Sequence, residues 1–493
     1  MSPHIDEEAA SSPEPGASAI FAANTAPTLA EIVQLTRHEL TTTQEGDPIV
    51  ECGRAALSLL RTNPELCVKL AYQKLHDVPY KEVRTCWRRL YTDATLWKVL
   101  DIAEGWDTQT HTDGDRIDRI VEMLDMTLIL TAAPSREEVI ELWFAALEQE
   151  LSADGPADAA PNVLERPAKK PKLENALSIP SAFPTANIEC PPTLLHPVSR
   201  FAELSLSAFQ TKLSSPTTQT PLIIEHAIQH WPALTERPWR SPSYLLKRTL
   251  GGRRLVPIET GRSYTDSGWG QKISTFKDFL STYMLDASTS SSSHNDKRQT
   301  GYLAQHDLFA QIPSLRADIS IPDFCYCDPT PNPLPHIKET PKLEDPLLNA
   351  WFGPKGTISP LHTDPYHNIL AQVVGYKYVR LYGPDQTKWL YPRSVDENGV
   401  DMSNTSEVDL DEAVGVCPEI GFGEGSIEIG NTDGPNEELA RRRAELEGRF
   451  PGFSTAEYVE GVLGPGECLY LPPGWWHYVK SLSSSFSVSF WFN

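Results

Sequence analysis

The 493-residue sequence predicts an all-α domain followed by a mainly β domain. Three observations predict it. Apolar residues keep helical spacing only in the first third, a Pro- and Ala-rich stretch follows, and from about residue 195 short β-patterned runs alternate with proline and glycine breaks. With 40% hydrophobic residues, the chain can fill two or three separate cores.

Residues 1–27 open "MSPHIDEEAASSPEPGASAI", which is acidic, small and proline-punctuated, and they are read as disordered. Without an apolar h-region the stretch is expected to be neither a signal peptide nor a transit peptide. Helical patterning begins at Thr28. Thr28 with Glu31, and Ser135 with Glu138, fit capping boxes. Ile117, Ile120, Val121, Leu124 and Leu128 form one apolar stripe. Residues 28–150 are therefore read as a helical domain whose aromatic and leucine stripes are core, with docking as the functional alternative.

Residues 151–194 are read as a linker. It carries "RPAKKPKLE" at 166–174, where Lys169, Lys170 and Lys172 beside prolines resemble a nuclear import signal. That reading places the protein in the nucleus, with the cytoplasm as a second location; the plain alternative is a linker solvated by lysines. The formal net charge of −23 disfavours direct nucleic-acid binding. No run is long and apolar enough to predict a membrane span. The eight cysteines are scattered without a C-x-x-C pair, which suits free thiols in a reducing compartment. Cys325 and Cys327 make a lone C-x-C that no second pair completes into a zinc site.

Residues 195–493 supply the strands: "GRRLVPIET", "NILAQVV", "YKYVRLY", "GECLYLP" and "SFSVSFWF". Short strands with frequent turn signals suggest a sandwich or barrel. Two insertions interrupt them. One is "DASTSSSSHNDKRQT" at 286–300, read as a flexible loop. The other runs from Val395 to about Leu439, with thirteen acidic residues and no Lys or Arg. It is either a solvated excursion or an attractor for a basic substrate.

The stretch "SPLHTDPYHNILAQVVGYKYVRLY" (359–382) raises the chemical question. In an extended segment residues i and i+2 point the same way, so His362 and Asp364 project together. Imidazole plus carboxylate suits Fe(II), Mn(II) or Co(II). His367 has the wrong offset for a third ligand; His477, in "GECLYLPPGWWHYVKSL", is the better one. Alone, H-x-D is also ordinary turn chemistry.

The surroundings decide between them. "WFGPKGTISPLHTDPYHNILAQVVGYKYVRLY" and "GECLYLPPGWWHYV…SFSVSFWFN" strongly resemble the JmjC family of Fe(II)- and 2-oxoglutarate-dependent oxygenases. The similarity extends through "VPIETGRSYTDSGWGQ" and "GYLAQHDLFAQIPSLRADISIPDF", covers roughly residues 195 to 493, and points to the arginyl-hydroxylase-type branch, whose members are also assigned lysine demethylase activity. The resemblance implies a double-stranded β-helix, a cupin-like jelly roll with flanking helices. It implies iron held by His362, Asp364 and His477, and 2-oxoglutarate held by Lys377, Tyr302, Ser359 and Asn368, with O2 as second co-substrate. On "YKYVRLY", Lys377 shares a face with Val379 and Leu381, and a lysine there is costly to bury unless an anion meets it.

Arginine recognition calls for a carboxylate and aromatic planes. Glu259, Tyr264, Trp269, Gln305 and Trp491 match the branch's substrate-side positions, and Trp351 is read as a further wall; as bland alternatives the tryptophans are core and Glu259 a surface residue. The expected activity is hydroxylation of a protein side chain, most directly arginine. Histone N-methyl-lysine demethylation by the same oxidant is the alternative, and a non-catalytic cupin-like binding module is the alternative from another class. The expected partner is a basic protein or peptide, such as a histone tail or a ribosomal or chromatin-associated protein.

Overall fold

The computed structural model describes residues 26–42, 45–105, 113–153, 179–184, 192–265, 268–285, 300–331, 340–396, 399–421 and 435–493. The disorder expected of residues 1–25, the basic stretch 166–174 and the loop 286–299 lie outside them. Chain packing divides at Lys169/Lys170 into two units.

The first unit is helical: α1 (Leu29–Thr41), α2 (Arg54–Leu60), α3 (Pro64–His76), α4 (Thr85–Glu104), α5 (Asp113–Thr131) and α6 (Glu137–Ala153). Thr28 caps α1 as its sequence predicts, accepting from the Glu31 N–H while the Glu31 carboxylate accepts from the Thr28 N–H. Ile117, Ile120, Val121 and Leu124 are buried along α5. The second capping box does not form. Ser135 lies in the left-handed region at φ 58°, after Ala132 and Ala133 at 57° and 50°, so it lacks the extended backbone of an N-cap. That tight turn delivers Arg136 into a buried ion-pair group with Asp93 and Glu39, beside Arg89 and Asp47. Tertiary pairing has overridden the local cap.

In the second unit two sheets face each other. The large one runs in the order β1 (Arg200–Phe201), β2 (Leu222–Ile224), β11 (Cys468–Leu471), β8 (His367–Val374), β13 (Ser485–Phe492), β6 (Leu347–Gly353), β5 (Gly301–His306), β3 (Leu255–Thr260), β4 (Gly270–Thr275). The small one runs β10 (Tyr458–Leu463), β9 (Lys377–Tyr382), β12 (Trp476–Ser481), β7 (Ile358–His362). This is a jelly roll. Period-2 alternation sorts each strand between two cores. Leu370 on β8, Val379 and Leu381 on β9, Leu469 and Leu471 on β11 and Val479 on β12 fill the space between the sheets. Ile369, Ala371, Val488 and Phe490 point the other way, against Trp231, Trp239 and the helical cover. All eight residues of β8 are buried, which is why "NILAQVV" reads as a continuous run. The turn from β8 to β9 requires glycine at 375: φ is +70°, and a Cβ there would sit 1.9 Å from Ser484 O.

The unit reaches further back than residue 195. Phe183 is 2% exposed in the outer core and donates its N–H to Arg240 O, so part of the expected linker belongs to the β unit. At the other end of the linker, α6 extends to Ala153 rather than ending near 150.

Candidate active site

β7 ends on His362, Asp364 follows in the turn to β8, and His477 is the second residue of β12. β12 pairs antiparallel with β7, and the register sets His477 directly opposite His362. His362 Nε2 is 3.9 Å and His477 Nε2 3.5 Å from the Asp364 carboxylate, and the two rings lie 4.1 Å apart. The donor atoms of all three fall within 4.8 Å of one another, the only such His/Cys/Asp/Glu group among the described residues. Each imidazole is turned by its second nitrogen: His362 Nδ1 bonds Pro360 O at 2.7 Å and His477 Nδ1 bonds Trp475 O at 3.1 Å. With Nδ1–H donating to a carbonyl, Nε2 carries the lone pair and faces Asp364, the arrangement a metal ligand needs. Burial and the neighbouring His477 pull His362 down to about 4. Burial pushes the Asp364 carboxyl up, but the adjacent imidazoles, His477 foremost, outweigh it and leave it below its ordinary value. Two imidazoles and one carboxylate are the donor set of a facial triad. His367 does not join them; its Nδ1 meets Tyr470 Oη at 2.9 Å in the outer core.

One cavity is lined by all three of these residues together with Tyr302, Ser359, Asn368, Lys377 and Trp351, and walled by Leu370, Leu471 and Val479. Lys377 is 2% exposed, and its Nζ donates to Tyr302 Oη at 3.3 Å. Burial pulls its ammonium down to about 7. Burial raises the Tyr302 phenol, Glu259 adds to that, and a hydrogen bond with Ser359 opposes it. Asn368 keeps a buried Oδ1 with no hydrogen-bond partner. A buried ammonium among apolar walls is costly and suits an anion, whereas the unpaired Asn368 Oδ1 calls for a hydrogen-bond donor. The residues thus fit a divalent metal beside a dicarboxylate.

The substrate-side candidates divide. Glu259 stands across the strand pair from Tyr302, and Trp269 Nε1 donates to its Oε2 at 3.3 Å. Burial raises the Glu259 carboxyl. Tyr264 is pushed to about 12, chiefly by burial, and feels both Asp364 and Glu259. Trp351 Nε1 donates to Ser489 Oγ at 2.9 Å, with its ring 6.1 Å from that of Tyr302. Trp491 pairs with Asn368 across β13 and β8 and stacks on Tyr366 at 5.7 Å. Of the six, only Trp351 lines the metal cavity, and Trp269 is 36% exposed. Gln305 is exposed, at φ 44°, in a register shift of β5 between Leu303 and His306. Strict alternation along "GYLAQH" fails there because the bulge re-aims its side chain.

The acidic insertion was not placed by its sequence. Residues 404–406 of it lie against the metal strand: Asn404 O accepts from Thr363 N at 2.8 Å, Leu361 O accepts from Ser406 N at 2.9 Å, and His362 bridges Thr405 antiparallel. Only "NTS" within a run of acids hinted at a strand here, too short a signal to stand out.

The cupin-like domain family matches residues 209–493. Lysine-specific demethylase 8 of Danio rerio is 35% identical over 432 residues, which is 87% of this chain and 86% of that protein. Lysine-specific demethylase JMJ30 of Arabidopsis thaliana is 32% identical over 86% of this chain and 84% of its own. More distant is the human bifunctional peptidase and (3S)-lysyl hydroxylase JMJD7, 25% identical over 66% of this chain and 88% of that protein. A jelly roll with a His–Asp–His cluster at its mouth, matched over most of its length to such relatives, identifies the chain as a member of the cupin-like JmjC family and as a 2-oxoglutarate-dependent oxygenase.

Proposed function

We propose that the protein oxidises a cationic side chain of a protein substrate, using Fe(II) at His362, Asp364 and His477 and 2-oxoglutarate anchored by Lys377. The observation that carries it is the shared cavity, in which two oriented imidazoles, a carboxylate and a buried ammonium converge. When bound, iron would bring O2 and 2-oxoglutarate together to oxidise an unactivated C–H bond, one oxygen atom going to the product and one to succinate, with CO2 released. The chain's own residues do the rest. Lys377, Tyr302 and Ser359 receive the distal carboxylate, Asn368 offers its amide to the end near the metal, and Leu370, Leu471 and Val479 exclude water. Asp364→Ala is expected to abolish succinate formation and weaken Fe(II) binding while circular dichroism stays that of the wild type; normal turnover by that variant would remove the triad.

N-methyl-lysine demethylation is the substrate reading supported by the names of the zebrafish and Arabidopsis relatives. Oxidation of the N-methyl carbon gives a carbinolamine that releases formaldehyde. Arginyl hydroxylation is the second reading, favoured by Glu259, a carboxylate with an indole N–H beside it in reach of Tyr264. Mass spectrometry of methyl-lysine and arginine peptides separates them, with a change of about −14 mass units for demethylation and about +16 for hydroxylation. If Glu259 grips the cation, Glu259→Gln lowers peptide oxidation by roughly 2–4 kcal/mol of lost charge-assisted pairing. Peptide oxidation at the wild-type rate would mean that this carboxylate is not the specificity element. Nuclear residence, proposed from Lys169, Lys170 and Lys172, is tested by whether replacing the three with alanine moves a fluorescent fusion into the cytoplasm.

A further inference from the structure

β7 carries a metal ligand and stands at the edge of the small sheet, where its outer backbone groups would face solvent. The insertion covers that edge with Asn404–Ser406, and Asn404 Nδ2 adds a bond to Thr363 O at 3.3 Å. The covering segment is itself held from behind, since Arg393 N donates to Thr405 O at 2.8 Å and Arg393 Nε to Ser406 O at 3.1 Å. Thr405 is thereby fixed beside His362, 1% exposed; its Oγ1 donates to Asn404 Oδ1 at 3.3 Å, which leaves Oγ1 to accept from Tyr264 Oη, 3.4 Å away. Tyr264 is within electrostatic reach of both Asp364 and Glu259. A plain edge cover needs only the backbone bonds. It does not need a hydroxyl within reach of the Tyr264 phenol.

We propose that Thr405 is a positioning residue for substrate, acting through Tyr264. Its hydroxyl fixes the direction of the Tyr264 phenol, so the insertion helps decide how the target side chain sits between Glu259 and the metal. This rests on the reading of the protein as an oxidase of cationic protein side chains. At 3.4 Å the hydroxyl pair is long, and it is the kind of contact that tightens when substrate fills the site.

The test uses full-length protein with Fe(II) and whichever of a methyl-lysine or an arginine peptide the wild type oxidises. Thr405→Val keeps the shape and removes the hydroxyl. Its KM for peptide is expected to rise about fivefold or more, with the KM for 2-oxoglutarate changed less than about twofold. Thr405→Ser should restore the peptide KM to near the wild-type value. In a Tyr264→Phe background Thr405→Val should add nothing, because the two act as one unit. The proposal is overturned if Thr405→Val leaves the peptide KM unchanged. It is equally overturned if Val and Ser shift both KM values and the unfolding temperature together, as loss of a mere edge cover would. A wild type that oxidises neither peptide sinks the underlying reading and this inference with it; a peptide oxidised equally well by wild type and Thr405→Val sinks the inference alone.

Discussion

Lys377→Met is expected to give a protein that resists heat better than the wild type yet turns over almost no 2-oxoglutarate. The lysine is 2% exposed, and burial brings it from 10.5 to about 7. Each pKa unit is worth ~1.4 kcal/mol, so the cost of this burial at neutral pH is on the order of a few kcal/mol. The direction with pH follows from proton counting. Between about 7 and 10.5 the unfolded chain holds the proton that the folded chain has released, so wild-type stability rises with pH across that window. Methionine keeps the length and removes the ammonium. The stability gain of Lys377→Met should therefore be greatest at and below about pH 7 and fade as pH approaches 10.5. Function moves the other way, because the distal carboxylate of 2-oxoglutarate loses its charge partner, a loss of roughly 3–5 kcal/mol. Above pH 7 the wild type should also take up a proton on binding 2-oxoglutarate, visible in calorimetry as a heat that depends on the buffer. An unchanged KM for 2-oxoglutarate, or a variant that melts below the wild type at pH 7, would show that Lys377 serves packing alone.

Arg380→Met should do the opposite, destabilising the β unit by roughly 3–5 kcal/mol while touching no cavity residue. Arg380 on β9 and Glu460 on β10 are register partners, both side chains are fully buried, and Nη2 meets Oε2 at 3.2 Å. Tyr378 donates to the same carboxylate oxygen, Leu195 N to the other, and the guanidinium lies 4.1 Å from the Tyr458 ring centre. Removing the arginine leaves a buried carboxylate without its cation, a large share of the stability of any domain. Arg380→Met with Glu460→Leu should recover most of the loss, since replacing both partners by apolar groups is often neutral. Urea unfolding of the wild type and both variants measures it. A single variant as stable as the wild type would mean the pair is dispensable.

These two cations sit three residues apart on one strand, and their contrast shows how much of the site was legible in sequence. Alternation along "YKYVRLY" separates Lys377 from Arg380, and the 2.0-residue period of a strand guarantees that separation in any sheet. The same period sends His362 and Asp364 to one side, and the resemblance of the surrounding motifs named His477 and the carboxylate anchors. The sequence alone therefore determined the two-part architecture, the metal-binding residue types and the apolar lining of each strand, because these depend on local geometry. What it did not determine depends on partners distant in sequence. Ser135 lost its cap to the pull of the buried Arg136 pairs, Gln305 was left exposed at a bulge, and Phe183 was drawn from the expected linker into a core. The acidic insertion became an edge cover for the metal strand only through Asn404–Ser406. Such outcomes are set by which backbone and buried charged groups must find partners once the sheets close, and only the tertiary structure decides that.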